Sequence, residues 1–330
     1  MPPVSEVSEA PPCLLCGEPT RLLYPSNVPR DAPIARGELA CTSPYLAVHD
    51  DIYVCRDCGL ARSRPPIDLE DIEDLYRDVE DPEYFASELE RRDSFRAALA
   101  RLESLGPSAY AIRASADPPK HCEGGRGSRG RLLEIGSSVG LFLDEARQRG
   151  WDAFGIEPSR WAAESARARG LSVFNGTLEE FVPDGGLFDV VVSWDVWEHL
   201  EDPVAAMRRA YELLRPGGLF VFTTVNLGGL GRRLFRGRWP WFMRMHLHYF
   251  TRESLTRLVR SSGFEVLSTS TEAKTLKLGY VLDRARSFLG PVASVARALA
   301  STFGVVDRPV RIDLGDILLV EARKPVSRPP

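Results

Sequence analysis

The stretch LLEIGSSVGLFLDEA, residues 132–146, decides the fold. A short apolar strand ends at Glu134–Ile135, the chain turns at Gly136, and a helix begins near Gly140. Such a turn places backbone N–H groups and a helix N-terminus at the carboxyl edge of a sheet, where doubly wound folds bind ligands. Ser138 lies between the two glycines, so the turn lacks the middle glycine of a G-x-G-x-x-G dinucleotide fingerprint. The turn predicts a ligand other than a nicotinamide dinucleotide.

Outward from this turn, apolar strands alternate with amphipathic helices along the rest of the chain. The helix after Asp202 shows the local signals clearly, with an aspartate at its start, Pro203 just inside it and a Pro-Gly-Gly exit. Strands that alternate with helices predict an α/β fold, in which helices cover both faces of a parallel sheet. Residues 274–312 lie between the last two predicted strands and contain two helix-like stretches. We predict that they roof a substrate cavity, and contact with a membrane surface is the alternative.

The length, net charge and apolar pattern of the chain argue against several classes of protein. The chain has 330 residues, for which two domains are the natural expectation, and its net charge is −4. A nucleic-acid-binding protein normally carries a basic surplus, so no nucleic-acid partner is expected. No apolar run is long enough for a membrane span, and the N-terminus lacks the pattern of a signal peptide. The expected location is therefore the cytoplasm.

Four of the six cysteines form two C-x-x-C-G turns. Each turn can point two thiolates at one ion, and the four predicted ligands of a structural zinc ion are Cys13, Cys16, Cys55 and Cys58. A site closed by four thiolates stabilises a fold and performs no chemistry. The alternative is that these are buried or redox-active cysteines. No role is assigned to Cys41 or Cys122.

Glu157 ends the strand that follows the turn, in the segment GIEPS. It lies 17 residues after Gly140, where an acidic side chain can accept hydrogen bonds from both hydroxyls of a ribose. Taken alone, Glu157 could instead be a surface carboxylate at a helix start. Together with the turn, it favours a ligand that contains a nucleoside.

Four segments in this order resemble the motifs of class I S-adenosylmethionine-dependent methyltransferases: LLEIGSSVGLFL, GIEPS, FDVVVSWDVWEHLEDP and LLRPGGLFVFTTVN. The resemblance covers about residues 130–323. The cysteine turns and the segment HLHYFTRESLTRLVRSSGFEV are similar to bacterial members that act on sugars or secondary metabolites and carry a zinc-binding N-terminal domain. The resemblance implies transfer of a methyl group to oxygen or carbon of a sugar-like, lipid-linked or secondary-metabolite acceptor.

The resemblance also implies a domain plan built on a Rossmann-like, seven-stranded methyltransferase sheet. A small zinc-ribbon-like module precedes this sheet, and the helical insertion comes before its last strand. The predicted ranges are a disordered tail (1–12), the zinc-binding module (13–65), a helical connector and linker (66–118) and the methyltransferase domain (119–325, with the insertion at 274–312).

Cofactor contacts carry over position by position as implications of the resemblance. The turn would hold the methionine part of the cofactor through Glu134, Gly136, Ser138 and Gly140. Glu157 would hold the ribose, and the adenine would lie beside Thr177 and Leu178. Trp194 and Asp195, at the end of the fourth strand, would face the cofactor from the other side.

An alcohol or carbon-acid acceptor must lose a proton, which requires a general base. Glu198 and His199 follow the fourth strand directly and are the predicted base and orienting partner. A structural role for this pair is the alternative. His246 and His248, in the segment MHLHYF, are further candidates, although a histidine in a loop is more often simply packed. No catalytic metal is expected.

The segment from Asn226 to Phe250 is rich in arginine and aromatic residues. Because guanidinium groups suit phosphate, Arg232 and Arg233 raise the hypothesis of a phosphorylated or nucleotide-linked sugar acceptor, against the alternative of a solvated basic flank. Two rival functions also stand. One is a non-catalytic scaffold that only binds a ligand or partner, and the other is a nicotinamide-dependent oxidoreductase.

Overall fold

The computed structural model describes residues 10–29, 32–64, 74–105 and 129–326. Residues 1–9 of the predicted tail, most of the predicted linker and Cys122 lie outside these ranges. Within them, the strands are β1 (Thr20–Tyr24), β2 (Asp51–Cys55), β3 (Ala61–Arg64), β4 (Arg131–Ile135), β5 (Asp152–Glu157), β6 (Ser172–Asn175), β7 (Phe188–Trp194), β8 (Leu214–Val225), β9 (His248–Tyr249), β10 (Glu265–Thr271), β11 (Lys274–Lys277), β12 (Pro309–Ile312) and β13 (Ile317–Arg323).

The α-helices of the described residues are α1 (Glu88–Ser104), α2 (Leu141–Gln148), α3 (Arg160–Ala168), α4 (Pro203–Leu213), α5 (Leu230–Phe235), α6 (Arg252–Ser261), α7 (Leu278–Leu289) and α8 (Pro291–Thr302). Side chains start several of them where the sequence predicts. The Ser159 hydroxyl accepts from the backbone N–H of Ala162, and the Asp202 carboxylate accepts from the N–H groups of Val204 and Ala205. These caps satisfy backbone donors that a helix start otherwise leaves unpaired.

The central sheet has seven strands in the order β6-β5-β4-β7-β8-β13-β10. Neighbours from β6 to β8 run parallel, whereas β13 is antiparallel to both β8 and β10. The predicted α/β fold with a seven-stranded methyltransferase sheet is therefore confirmed. The antiparallel strand also makes the sheet mixed.

Two hydrophobic clusters cover the two faces of the sheet. One is centred on aromatic residues of β8, where Phe220 and Phe222 pack against Trp197 at ring-centroid distances of 5.6 and 5.4 Å. The other joins α1 and α2 to β4 and β7 through buried residues such as Leu99, Phe142 and Leu132. Strands buried on both faces read as continuous apolar runs, and FDVVVSW in β7 is such a run.

The N-terminal cysteine segment forms an antiparallel sheet in the order β1-β2-β3-β9. Its last strand, β9, comes from residues 248–249, far beyond the cysteines in sequence. Cys13, Cys55 and Cys58 also belong to the same hydrophobic cluster as Phe220. The segment thus pairs with a strand from the later part of the chain and shares a hydrophobic core with the central sheet.

The segment 274–312 leaves the central sheet between β10 and β13. It begins with β11 and ends with β12, and these two strands pair with each other in an antiparallel register. Helices α7 and α8 lie between them and pack together. The sequence indicated the two helices but not the strands, because KTLK and PVRI are too short and polar to show an apolar strand pattern.

Candidate functional site

A cavity of about 1450 Å³ opens at the carboxyl ends of the parallel strands. Most of the predicted cofactor residues line it, namely Glu134, Gly136, Ser138, Glu157, Thr177, Leu178, Trp194 and Asp195. Glu198, His199 and His246 line it as well. Gly140 and His248 are not among the lining residues. One cavity therefore holds both the predicted cofactor residues and the predicted base.

The turn after β4 depends on glycine at two places. The backbone φ is +74° at Gly136 and +79° at Gly140, in the left-handed region that favours glycine. A Cβ at Gly136 would lie 2.5 Å from Cγ2 of Val196, and one at Gly140 would lie 2.4 Å from Cδ1 of Leu171. Gly140 thus permits close packing beneath the turn, and Gly136 permits the cavity-lining Val196 to pack against the turn.

Ser138 also has a positive φ, of +47°, which is uncommon for a residue other than glycine. This conformation directs its backbone N–H at the carboxylate of Glu157, with a nitrogen–oxygen distance of 2.7 Å. The other carboxylate oxygen of Glu157 accepts from the backbone N–H of Ser159 at 2.8 Å. The backbone therefore fixes the orientation of Glu157 at the cavity wall.

Two buried carboxyl groups lie side by side at this end of the cavity. Burial raises the pKa of Glu157 to about 7, although the N–H groups of Ser159 and Ser138 oppose the shift. Burial, and then the nearby charge of Glu157, raise the pKa of Glu134 well above its ordinary value. Oε2 of Glu134 has no hydrogen-bond partner within the described part of the chain. An unpaired buried oxygen is costly, so this atom is suited to a donor supplied by a ligand.

Thr177 and Leu178 follow β6 at the next edge of the cavity. The backbone N–H of Thr177 donates to the Glu180 carboxylate at 2.7 Å, and Leu178 is buried. Leu178 therefore contributes an apolar wall, and the hydrogen bond of Thr177 holds the adjacent turn in place. Such a wall suits the flat face of a purine.

Asp195 follows β7, and two groups hold its carboxylate. The hydroxyl of Thr223 donates to Oδ1 of Asp195 at 2.8 Å, and the ammonium of Lys274 pairs with Oδ2. Burial would raise the pKa of Asp195, but Lys274 and Thr223 outweigh it, and the pKa falls below its ordinary value. The ring of neighbouring Trp194 packs against Phe142 at a centroid distance of 5.3 Å. Asp195 is thus an ionised wall residue tied to the insertion.

Glu198 is buried and accepts a hydrogen bond from the hydroxyl of Thr224 at 2.8 Å. Burial, and then the charge of Asp195, raise the pKa of Glu198 to about 8. A carboxylate of that pKa is a far stronger base than an exposed one, and its pKa lies near a neutral working pH. Glu198 can accept a proton from a group bound in the cavity.

His199 is fixed through its Nδ1 atom, which lies 2.9 Å from the carbonyl oxygen of Met245 and 2.8 Å from the hydroxyl of Tyr76. Because a carbonyl only accepts, Nδ1 carries the proton and Nε2 keeps its lone pair. Burial lowers the pKa of His199 to about 4, so the ring is neutral at pH 7. A weak base held in one orientation serves as a hydrogen-bond acceptor rather than as the principal base.

His246 repeats this arrangement, since its Nδ1 lies 2.8 Å from the carbonyl oxygen of Trp241. Its ring centroid is 4.8 Å from that of His199. One potential ligand atom from each of Glu198, His199 and His246 lies within 4.8 Å of the others. His248 is buried elsewhere, with Nε2 at 3.2 Å from the carbonyl oxygen of Glu201. Of the two loop histidines, only His246 reaches the cavity.

The four predicted zinc ligands lie together in one cluster of the N-terminal cysteine segment. The Sγ atoms of Cys13 and Cys58 are 3.5 Å apart, and those of Cys16 lie 3.5 Å from Cys55 and 3.8 Å from Cys58. A tetrahedral zinc ion with sulfur ligands at about 2.3 Å separates the sulfur atoms by about 3.8 Å. The donor set and its spacing therefore fit zinc. The exposed Cys41 is not part of this cluster.

Further lining residues come from segments to which the sequence assigned no chemistry. They are Tyr76, Tyr84, Arg91, Lys274 and Lys277. Arg91 stacks over the ring of Tyr84, with its guanidinium carbon 3.9 Å from the ring centroid. These residues lie in the helical connector and the insertion, where no motif marks them. Only the tertiary contacts bring them to the cavity.

Arg232 and Arg233 are not among the cavity-lining residues. The Nε group of Arg232 donates to the carbonyl of Leu227 at 3.0 Å. Arg233 lines a separate groove beside the second cysteine turn and the start of α6. Their positions give no support to phosphate binding in the cavity.

The strand order and the site define the class of protein. Residues 96–269, just over half of the chain, match the family model described as a methyltransferase domain, and the chain belongs to this family. It is similar to the ubiquinone biosynthesis O-methyltransferase of Cereibacter sphaeroides (strain ATCC 17025 / ATH 2.4.3), with 31% identity over 41% of this chain and 60% of that protein. The protein of the same name from Ruegeria pomeroyi is 31% identical, again over 41% and 60% of the two chains.

These matches span less than two thirds of the length of the two relatives. A solved S-adenosylmethionine-dependent methyltransferase from Mesorhizobium loti is 20% identical over 59% of this chain and 91% of that chain, with a TM-score of 0.40. A score at that level adds nothing to the family assignment. Among the described residues, no helix has both the length and the apolar character that crossing a membrane requires.

Proposed function

We propose that this protein transfers a methyl group from S-adenosylmethionine to oxygen or carbon of a small acceptor bound in the cavity. The observation that carries the proposal is the carboxylate of Glu157, which the backbone of Ser138 and Ser159 orients at the cavity wall. A carboxylate held in this way can still accept hydrogen bonds from two adjacent ribose hydroxyls. Its position after the second parallel strand matches the ribose site that the family resemblance implies.

The remaining cofactor contacts follow from the same cavity. The methionine end would lie along Gly136 and Ser138, where Oε2 of Glu134 offers an acceptor for the ammonium group. Thr177 and Leu178 would flank the adenine. Trp194 and Asp195 would close the opposite wall, and Gly140 acts beneath the turn through packing.

S-adenosylmethionine, when bound, supplies an electrophilic methyl group on its sulfonium. The protein has to align the acceptor with this group, and good alignment lowers a barrier by up to about 7–11 kcal/mol. We assign the base role to Glu198, because its raised pKa gives it the greater basicity. Nε2 of His199 would accept a hydrogen bond from the acceptor and orient it, with His246 beside it. His248 plays no part in this arrangement.

The cavity wall favours an acceptor with a large apolar group. Its acceptor side is lined by Trp241, Met243, Met245 and Tyr280. Among the basic lining residues, Lys274 and Lys277 already pair with Asp195 and Glu90, and Arg91 stacks over the ring of Tyr84. Among the acceptor classes implied by the resemblance, a secondary metabolite or a lipid-linked compound therefore fits better than a phosphorylated sugar. The name of the relatives agrees with methylation at oxygen.

We also propose that the four-cysteine cluster holds structural zinc and takes no part in the chemistry. Four thiolates leave no coordination position for a substrate. The cluster requires reduced thiols, which agrees with a cytoplasmic location. The shared core around Cys55 and Cys58 would transmit its stabilising effect to the central sheet.

Calorimetric titration with S-adenosylmethionine and S-adenosylhomocysteine tests the proposal. The wild-type protein is expected to bind both, and Glu157→Gln should weaken binding by roughly ten- to a hundredfold, since hydrogen bonds to a charged group contribute about 1.5–3 kcal/mol. Glu164→Gln, an exposed carboxylate of α3, is the control and should bind normally. Folded protein that binds neither compound would overturn the proposal.

Turnover separates the rival functions. Release of S-adenosylhomocysteine in the presence of hydroxylated apolar acceptors is the expected result. Binding without turnover over a broad acceptor panel would instead favour a non-catalytic scaffold. Tight binding of a reduced nicotinamide cofactor in the same cavity would favour an oxidoreductase.

A further inference from the structure

An apolar face of α8 is exposed to solvent. Four of its side chains have exposed fractions of 69%, 59%, 53% and 74%, and they are Val292, Val295, Leu299 and the C-cap residue Phe303. Spacings of three and four residues place them in one sector of the helix. The inner side of α8 is packed, because Ala293 and Ala300 are buried. Apolar side chains gathered in this way mark a binding surface rather than scattered surface residues.

Helix α5 and the turn after it combine exposed apolar side chains with positive charge. Leu230 and Leu234 are 51% and 62% exposed. The segment 230–238, LGRRLFRGR, contains four arginines and no acidic residue. Exposed leucines beside arginines are typical of segments that lie in the interface of a membrane.

The insertion that contains α8 is also basic. Residues 274–312 contain seven lysines and arginines against two aspartates, in a chain whose net charge is −4. Lys274 and Lys277 line the cavity and are paired there, so the five arginines and two aspartates that remain carry a net charge of +3. Positive charge is thus concentrated in the same two segments that expose apolar side chains. This charge is complementary to anionic lipid headgroups.

Both segments border the cavity. Phe235 of α5 lines it, and so do Tyr280, Val281 and Ala285 of α7, the helix against which α8 packs. A surface bound by α5 and α8 would therefore lie beside walls of the cavity. An apolar acceptor could then pass between that surface and the cavity without crossing bulk water.

We propose that the exposed face of α8, together with α5, binds the surface of an anionic phospholipid bilayer. The apolar side chains enter the headgroup boundary, and the neighbouring arginines contact lipid phosphates. A second copy of the chain is a poorer occupant, because a two-fold contact would place the basic segments of both copies against each other. The inference that the membrane delivers the acceptor rests on the proposed function, whereas the binding itself does not.

Co-sedimentation of the full chain with vesicles tests this surface. Binding is expected with vesicles of phosphatidylcholine and phosphatidylglycerol, to weaken as salt is added, and to be slight with phosphatidylcholine alone. Leu299→Ser/Phe303→Ser should lower the partition coefficient by roughly tenfold or more, through the loss of buried apolar area. Leu89→Ser/Val182→Ser removes two side chains of similar exposure elsewhere and should bind as the wild type does.

A charge variant provides a second test of the surface. Arg233→Gln/Arg236→Gln should weaken vesicle binding and make that binding less dependent on salt concentration. Equal binding by all variants, or none by the wild type, would overturn the proposal. A wild-type dimer that the α8 variant turns into a monomer, without any vesicle binding, would assign the face to a second copy instead. Cofactor titration of the same samples separates the proposals, because vesicle binding and cofactor binding can fail independently.

Discussion

The four-cysteine cluster and the Glu198, His199 and His246 cluster both gather potential metal ligands, but they differ in how they are built. The cysteine sulfur atoms come from two C-x-x-C turns and lie 3.5 to 3.8 Å apart in the contacts that join them. The ligand atoms of the second cluster also lie within 4.8 Å of one another, but their residues line a large cavity. The first geometry is closed and suits a structural ion, whereas the second leaves room for a substrate.

The two clusters also differ in what holds their side chains in place. Thr224, Met245 and Trp241 hold the second cluster through hydrogen bonds, so it needs no ion to keep its shape. In the cysteine cluster the sulfur atoms contact one another, so ionised thiolates would repel each other without an ion between them.

The largest effect is expected from Cys58→Ser. Its sulfur lies near those of Cys13 and Cys16, and the residue belongs to the core beneath the central sheet. Loss of a structural zinc ion removes a large part of the folding free energy, so the variant should contain no zinc and be largely unfolded at room temperature. Metal analysis and circular dichroism check this, with Cys41→Ser as the control that keeps both metal and fold. Normal melting without zinc would mean that the cluster is not structural.

Glu198→Gln should leave the fold intact and lower kcat by roughly a hundredfold to ten-thousandfold, the usual contribution of a general base. Glu198 acts in its ionised form, so the wild-type rate should rise with pH through an apparent pKa near 8. The variant should lose that rise. Glu212→Gln, at an exposed carboxylate outside the cavity lining, is the matched control. A wild-type rate that stays flat from pH 6 to pH 9 would instead favour His199, whose pKa of about 4 keeps it unprotonated throughout that range.

His246→Gln should reduce kcat by about tenfold, because it removes a neighbour that positions the acceptor rather than the base. Added divalent ions should not change the wild-type rate, nor should brief treatment with a chelator that leaves the cysteine-bound zinc in place. Kinetics with and without magnesium, manganese or zinc provide the measurement. Activity that vanishes with the chelator and returns with one ion would show that the second cluster works as a metal site.

The smallest effect is expected from Arg232→Ala/Arg233→Ala. Both arginines lie outside the cavity lining, so the KM of the acceptor should change by less than about twofold, as for most surface substitutions. Steady-state kinetics with a fixed cofactor concentration measure this. A clear rise in KM would restore the hypothesis of a phosphorylated acceptor.

Much of the proposed cofactor end of the cavity was predictable, because it is built from local signals. A glycine turn after an apolar strand and an acidic residue after the next strand have fixed places in an α/β sheet. Gly136 and Glu157 therefore appear in the cavity where the sequence puts them. The rest of the cavity was less predictable, since Tyr76 and Lys274 reach it from the connector and the insertion. Neither residue stands in a pattern that marks it as functional.

The sequence by itself determined the parallel strands, the glycine turn after β4 and the two C-x-x-C turns. Each of these depends on neighbours within a few residues or on the period of apolar side chains. Only the tertiary structure decided that His246 and not His248 reaches the cavity, and that β9 completes the sheet of the cysteine module. It also fixed the basicity of Glu198, because a pKa depends on burial and on charges brought close by the fold, and residue order alone contains neither.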